Sequence, residues 1–118
     1  MIYFISGHLD VSIQEFMDHY LIPIQRGQVL GDSFVVGDAR GLDLLAQEFL
    51  RGSNKVTVYH MFESPRNNYG GYATVGGFKS DSERDEAMTA VSDEDIAWVR
   101  PGREKSGTAK NLARRLRL

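Results

Sequence analysis

Three glycine-bearing turns, far apart in the chain, carry side chains whose types and spacing suit the grip of an anion or a sugar. The first, Ser6-Gly7-His8, ends an apolar run; its glycine lets backbone approach a ligand closely or simply makes a tight turn. The second is Gly37-Asp38-Ala39-Arg40-Gly41-Leu42-Asp43, where two glycines bracket a strand-to-helix turn. Freed amides at such a helix start suit a phosphate or a sugar hydroxyl. Asp38 stands at the strand tip, where its carboxylate is expected to accept hydrogen bonds from ribose. Its replacement by alanine should then weaken binding and spare the fold. Asp43 either caps the helix or touches the ligand. The third is Pro101-Gly102-Arg103-Glu104-Lys105-Ser106-Gly107-Thr108, in which Ser106, Gly107 and Thr108 offer hydroxyl and amide donors at a helix N-terminus. A serine or threonine there is also an ordinary cap. This is not a Walker A loop, because no lysine precedes the serine or threonine at the required glycine spacing.

Arg84, opening a later helix with Asp85, Glu86, Ala87 and Met88, either holds a phosphate through its planar fork or pairs with Asp81 or Asp85 at the surface. Met88 is assigned to the core. If the site breaks a glycosidic bond, it needs a carboxylate near the anomeric carbon to steady an oxocarbenium-like transition state or to orient water. Asp38 is the first catalytic candidate, with Glu83 or Asp85 in reserve. His8, His19 and His60 do not form a metal-ligand spacing, and no metal or cofactor is expected.

These turns need rigid elements to hold them. Residues 2–6, IYFIS, read as a buried parallel strand. Ser12 and Glu15 form a capping-box pattern ahead of a helix carrying Ile13, Phe16, Met17, Tyr20, Leu21 and Ile24, which Pro23 should bend or end. Strand two is Phe34–Val36. A helix with Leu42, Leu45, Ala46, Phe49 and Leu50 on one stripe follows and stops at Gly52. Strand three is Val56–Met61. Residues 62–79, with Pro65, Asn67, Asn68, glycines at 70, 71, 76 and 77, and three aromatic residues, read as one long loop. A helix from near Ser80, a fourth strand at Ile96–Val99 and a last helix lined by Ala109, Leu112, Ala113 and Leu116 complete the chain. Alternating strands and helices imply a single α/β domain, Rossmann-like, with a mostly parallel sheet of four strands in the order 3-2-1-4 and helices on both faces. The order reverses beside strand one, and ligands of open α/β sheets bind at such a crevice.

A chain of 118 residues, 42% hydrophobic and 25% charged, supports one core. It has no cysteine, hence no disulfide or thiolate site. The first residues lack the basic flank and cleavage site of a secretion signal, and no apolar run approaches the roughly 20 residues of a membrane helix. A cytoplasmic protein without membrane contact is expected. The net charge of −2 argues against nucleic acid, although Arg103, Lys105, Lys110, Arg114, Arg115 and Arg117 make the end of the chain basic. The last three arginines are expected on a solvated helix face.

Gly7, the string GDARGLD at 37–43, Arg84 with Met88, and Ser106-Gly107-Thr108 together resemble the SLOG superfamily, especially its small YspA-like members. The superfamily also holds the lonely-guy phosphoribohydrolases and the DNA-processing protein Smf. The resemblance implies a crevice for a nucleotide, a nucleotide sugar, ADP-ribose or an NAD-related molecule, used for sensing or sequestering, with N-glycosidic hydrolysis or deoxyribosyl or phosphoribosyl transfer as the alternative. It also implies association of chains into homo-oligomers. Two departures are evident: Asp85 replaces a preferred Asn, and PGREKSGT stands in place of the PGGxGT loop of the phosphoribohydrolases.

Overall fold

In the computed structural model, which describes residues 1–117, the local signals fold into strands β1 (Ile2–Ser6), β2 (Ser33–Gly37), β3 (Val56–Met61), β4 (Ala73–Phe78) and β5 (Glu94–Ala97). Between them lie helices α1 (Ile13–His19), α2 (Leu21–Val29), α3 (Leu42–Phe49), α4 (Asp81–Val91) and α5 (Gly107–Arg115). All strand pairs are parallel, in the order β4-β3-β2-β1-β5. The stretch β3-β2-β1-β5 follows the expected order, but the sheet has five strands, not four, and its order is extended at the β3 edge. The added strand, β4, comes from the second half of the stretch expected to be a loop. Gly76 and Gly77 hid it, because they break alternation and lower strand propensity. The two residues together oppose His60, where the register slips between Tyr59↔Val75 and Met61↔Phe78. A Cβ at Gly76 would come within 2.0 Å of the His60 ring, so the imidazole lying across the strand requires a glycine there.

Phe4 and Val35 face α4 and pack with Tyr59 and Met88. Ile5, Val36 and Val58 face the other side, where Phe16, Tyr20, Ile24, Leu42 and Leu50 cover them. Leaving water contributes roughly 1.5–3 kcal/mol for each such large apolar side chain. Strands buried on both faces explain the unbroken apolar runs in the sequence.

The helix after Ser12 breaks earlier than Pro23. It is capped at Tyr20, and Pro23 falls in the first turn of α2, where a missing N–H costs no helical bond. The capping box is present: Ser12 Oγ accepts the Glu15 N–H and Glu15 accepts the Ser12 N–H. β5 ends at Ala97 instead of Val99 because the Trp98 N–H turns away from the sheet to the Tyr20 hydroxyl, at 3.0 Å. The inner face of α5 is also not the apolar stripe expected. Leu116 is 87% exposed, while Thr108 and Asn111 are buried. Arg115 leaves its assigned solvated face. It reaches Asp95, the Thr89 and Ser92 carbonyls and Ser92 Oγ, tying α5 to the end of α4. Among the described residues no helix is long and apolar enough to cross a membrane.

Candidate functional site

The chain ends of β1, β2 and β5 part where the strand order reverses, and a cavity of about 500 Å³ opens there. Tyr20, fully buried, bridges the gap beneath it: its hydroxyl donates to the Ser6 carbonyl at 2.8 Å and accepts the Trp98 N–H. The two adjoining turns press together. Gly41, with φ 77°, leaves no room for a Cβ, which would lie 2.4 Å from the Leu9 carbonyl carbon, and the Leu42 N–H donates to the His8 carbonyl. On the far side, Arg100 clasps Glu15 through two nitrogens at 2.7 and 2.9 Å and Asp10 at 3.0 Å, and Arg103 joins Asp10 at 2.9 Å. These pairs pin the loop before α5 to α1. The Arg100 guanidinium is also the main reason that the Glu15 carboxyl falls to about 2. Ser106 then caps α5, accepting the Ala109 N–H, and aims the helix start at the cavity.

The three turns meet. Ser6, Gly7 and His8 line the cavity from β1; Gly37, Ala39, Arg40 and Asp43 from the turn after β2; Arg84 from α4; and Ser106, Gly107 and Thr108 from α5. Gly41 lies behind the wall against Leu9, and Gly102 sits in an exposed turn. Glu83 is exposed and accepts the Lys79 N–H, away from the lining. Asp38 is absent from the lining as well. Its side chain is 1% exposed and lies beneath two arginines: Arg84 Nη1 donates to Oδ1 at 2.8 Å, and Arg66 donates through its backbone N–H, Nε and Nη2. Met88 is in the core as expected, and it also touches the cavity floor.

Sequence reasoning missed Arg66, Gln47 and Asn111. Residues 62–72 form a strap, and Arg66 is its clip, reaching Asp81 as well as Asp38. Gln47, fully buried on α3, holds the strap from below: Nε2 donates to the Gly37 and Asn67 carbonyls, and Oε1 accepts the Tyr69 N–H. Asn111 donates to Asp85, whose other oxygen takes Arg84 Nε and Nη2. The charge that Asp85 brings in place of Asn is thereby compensated. An arginine following a proline in a loop rich in Asn and Gly, and a glutamine between Ala46 and Phe49, were the available signals.

Electrostatics separate the two carboxylates of the second turn. Burial raises the Asp38 carboxyl, but hydrogen bonds from Arg66 and the charges of Arg66 and Arg84 outweigh it, and the net shift is downward. Asp43 goes the other way. Burial pushes it up to about 7, against the opposing pull of Arg84 and the Ala39 N–H. No cation lies within ion-pair distance of it among the described residues. His8 is kept neutral by burial and by Arg103 and Arg100, and its Nε2 accepts the Arg100 N–H.

A testable pH dependence follows from Asp43. An acid whose folded pKa is raised stabilises the fold fully below its unfolded value near 4, and that contribution disappears as pH rises to about 7. Urea titrations should show wild type losing up to about 1 kcal/mol per pH unit across that window relative to Asp43→Asn. Parallel curves for the two proteins would show that Asp43 ionises normally. Comparison of the chain with protein-family models, curated proteins and solved structures gives no match.

Proposed function

We infer that the cavity binds a nucleotide-derived small molecule, a nucleotide sugar, ADP-ribose or an NAD-related compound, and that the protein senses or sequesters it as the SLOG domains it resembles do. The observation that carries this reading is the convergence of Gly7, Gly37 and Thr108 on one cavity at the strand-order reversal. Its size lies within the roughly 300–1,000 Å³ of small-molecule sites. The α5 N-terminus suits an anionic group. Arg40, the cavity arginine without a carboxylate partner among the described residues, supplies a free positive charge.

Gly107 offers a clean test, because a Cβ there meets nothing within 4 Å and a side chain would grow without clashing with the protein. In calorimetry against AMP, ADP-ribose and NAD, at least one should bind. Gly107→Phe should weaken that ligand by tenfold or more with unchanged circular dichroism. Undiminished affinity in the variant would move the ligand elsewhere.

A second reading, N-glycosidic cleavage, is favoured by one observation: Asp43 is a cavity carboxyl poised to exchange a proton near neutral pH. Asp38 is occupied by arginines and Glu83 is distant, so this reading passes to Asp43 as the acid-base group. Chromatography of nucleoside monophosphates incubated with the protein should then show free base, and its absence across ribo- and deoxynucleotides leaves binding alone.

A further inference from the structure

Ser6 and Asp43 are two buried groups in the cavity wall with hydrogen-bonding capacity left over. Ser6 is 5% exposed, and its Oγ is buried without a partner. Asp43 is 7% exposed; its Oδ2 accepts the Ala39 N–H at 3.1 Å, and its Oδ1 has no partner. An unsatisfied buried hydroxyl costs about 1–3 kcal/mol, so Ser6 has free energy to gain from a bound molecule, and the open Asp43 Oδ1 can share it.

The sheet places them side by side. Ile5 pairs with Val36 in the parallel register, so Ser6 and Gly37 are neighbours at the strand tips, roughly 4.8 Å apart. Side chains alternate along a strand, so Ser6 points to the same face as Phe4, and position 37 to the same face as Val35. Gly37 has no side chain to occupy that space. A Cβ there would fall 2.5 Å from Asp43 Oδ2 and 2.8 Å from Arg84 Cζ, so the absent methyl is what lets the carboxyl lie over the tip of β2.

We propose that an anionic group of the ligand and a proton enter this cavity together: the Ser6 hydroxyl and the carboxylic acid of Asp43 form a paired donor for the anion's oxygens, and binding takes up a proton at Asp43. A carboxylate would repel the anion; the acid form donates to it. The proposal rests on the nucleotide-site reading above and adds control of that site by pH.

The surroundings support the acid form. Arg84, on α4 and facing Asp43, opposes the acid form by its charge, but its direct ion pairs go to Asp38, Asp81 and Asp85 and burial outweighs it. Asp85 and Asp38 add negative charge and raise the carboxyl further. Around the wall stand Arg40 on the same turn, Arg66 on the strap, Asp81 on α4, Asp10 and neutral His8 after β1, and Arg103 before α5. Burial comes first among the causes, and an anion at the α5 N-terminus would act in the same direction.

ADP-ribose is the suitable probe, because its diphosphate carries no monoester hydrogen and stays fully ionised from about pH 5.5 to about 8.5. Calorimetry in buffers of different ionisation enthalpy should find proton uptake approaching one per ligand at about pH 8. The dissociation constant should rise by up to about tenfold per pH unit above about pH 7. Asp43→Asn keeps a donor and should bind with neither effect. In the wild-type protein, carbon NMR of the Asp43 carboxyl should show its titration moving to higher pH with ADP-ribose present. Tight binding that ignores pH, or the same slope in Asp43→Asn, overturns the proton linkage alone. Failure of AMP, ADP-ribose and NAD to bind at any pH overturns the nucleotide site, and the linkage with it.

Discussion

Asp38→Ala should unfold in urea at a stability about 3–5 kcal/mol below wild type. The carboxylate is almost fully buried and accepts hydrogen bonds from both Arg66 and Arg84. Removing it strands Arg84, which is 7% exposed, with Asp81 and Asp85 as remaining partners. Those partners place the loss at the lower end of the range, and the half-exposed Arg66 adds little by charge alone. The larger consequence is that the strap loses its clip. The pH dependence has the opposite sign to that of Asp43. The Asp38 carboxyl is held below its ordinary value, so its contribution is present above about pH 4 and fades as pH falls through the folded value. A midpoint within experimental scatter of wild type would show the ion pairs to be ornamental. Asp38, expected at the ribose from its place at a strand tip, instead lies behind the cavity lining, where its pairs with Arg66 and Arg84 organise the wall.

Gln47→Ala should cost about 2–4 kcal/mol and loosen one segment in particular. Three hydrogen bonds disappear with the side chain, leaving the Gly37 and Asn67 carbonyls and the Tyr69 N–H without their partner. The Tyr72 hydroxyl still donates to the main-chain carbonyl of residue 47, so the strap stays attached at its C-terminal end. Hydrogen exchange should therefore accelerate most at Tyr69, while the amides of β1 and β2 keep their protection until global unfolding. Gln47→Glu is the sharper control. It preserves shape and the acceptor for Tyr69 but sets an oxygen against two carbonyl oxygens, and it should destabilise at least as much as alanine. A stable glutamate variant would mean that water already serves those carbonyls.

The two variants mark where the sequence was readable and where it was not. IYFIS, the Ser12–Glu15 box and the stripe from Leu42 to Leu50 specify their elements through local chemistry, and the α/β class follows from their alternation. The three turns could be picked out because, although each alone is an ordinary turn or cap, all three fall at ends of elements that the α/β alternation brings to one side of the sheet. What stayed hidden depends on contacts across long stretches of chain. β4 is held by pairing with β3 and not by its own propensity. Arg115 is drawn out of solvent to a large extent because Asp95 and the end of α4 await it. Asp38 and Asp43 lie five positions apart in the sequence and look interchangeable there. Their roles part only because Arg66, from a strap with no regular structure, reaches one and not the other.

The outer strand β4 is also one of the two open edges of the sheet. An open strand edge offers its free amides to any other chain and can seed fibrillar growth. Here the even row runs from Ala73 to Val75, then two residues stand opposite one, and Lys79 follows directly after the strand. A valine at position 76 would restore the alternation that such growth favours, yet the His60 ring leaves no space for one. The close approach that keeps residue 76 a glycine thereby keeps this border of the sheet irregular and ill-suited to the addition of another strand.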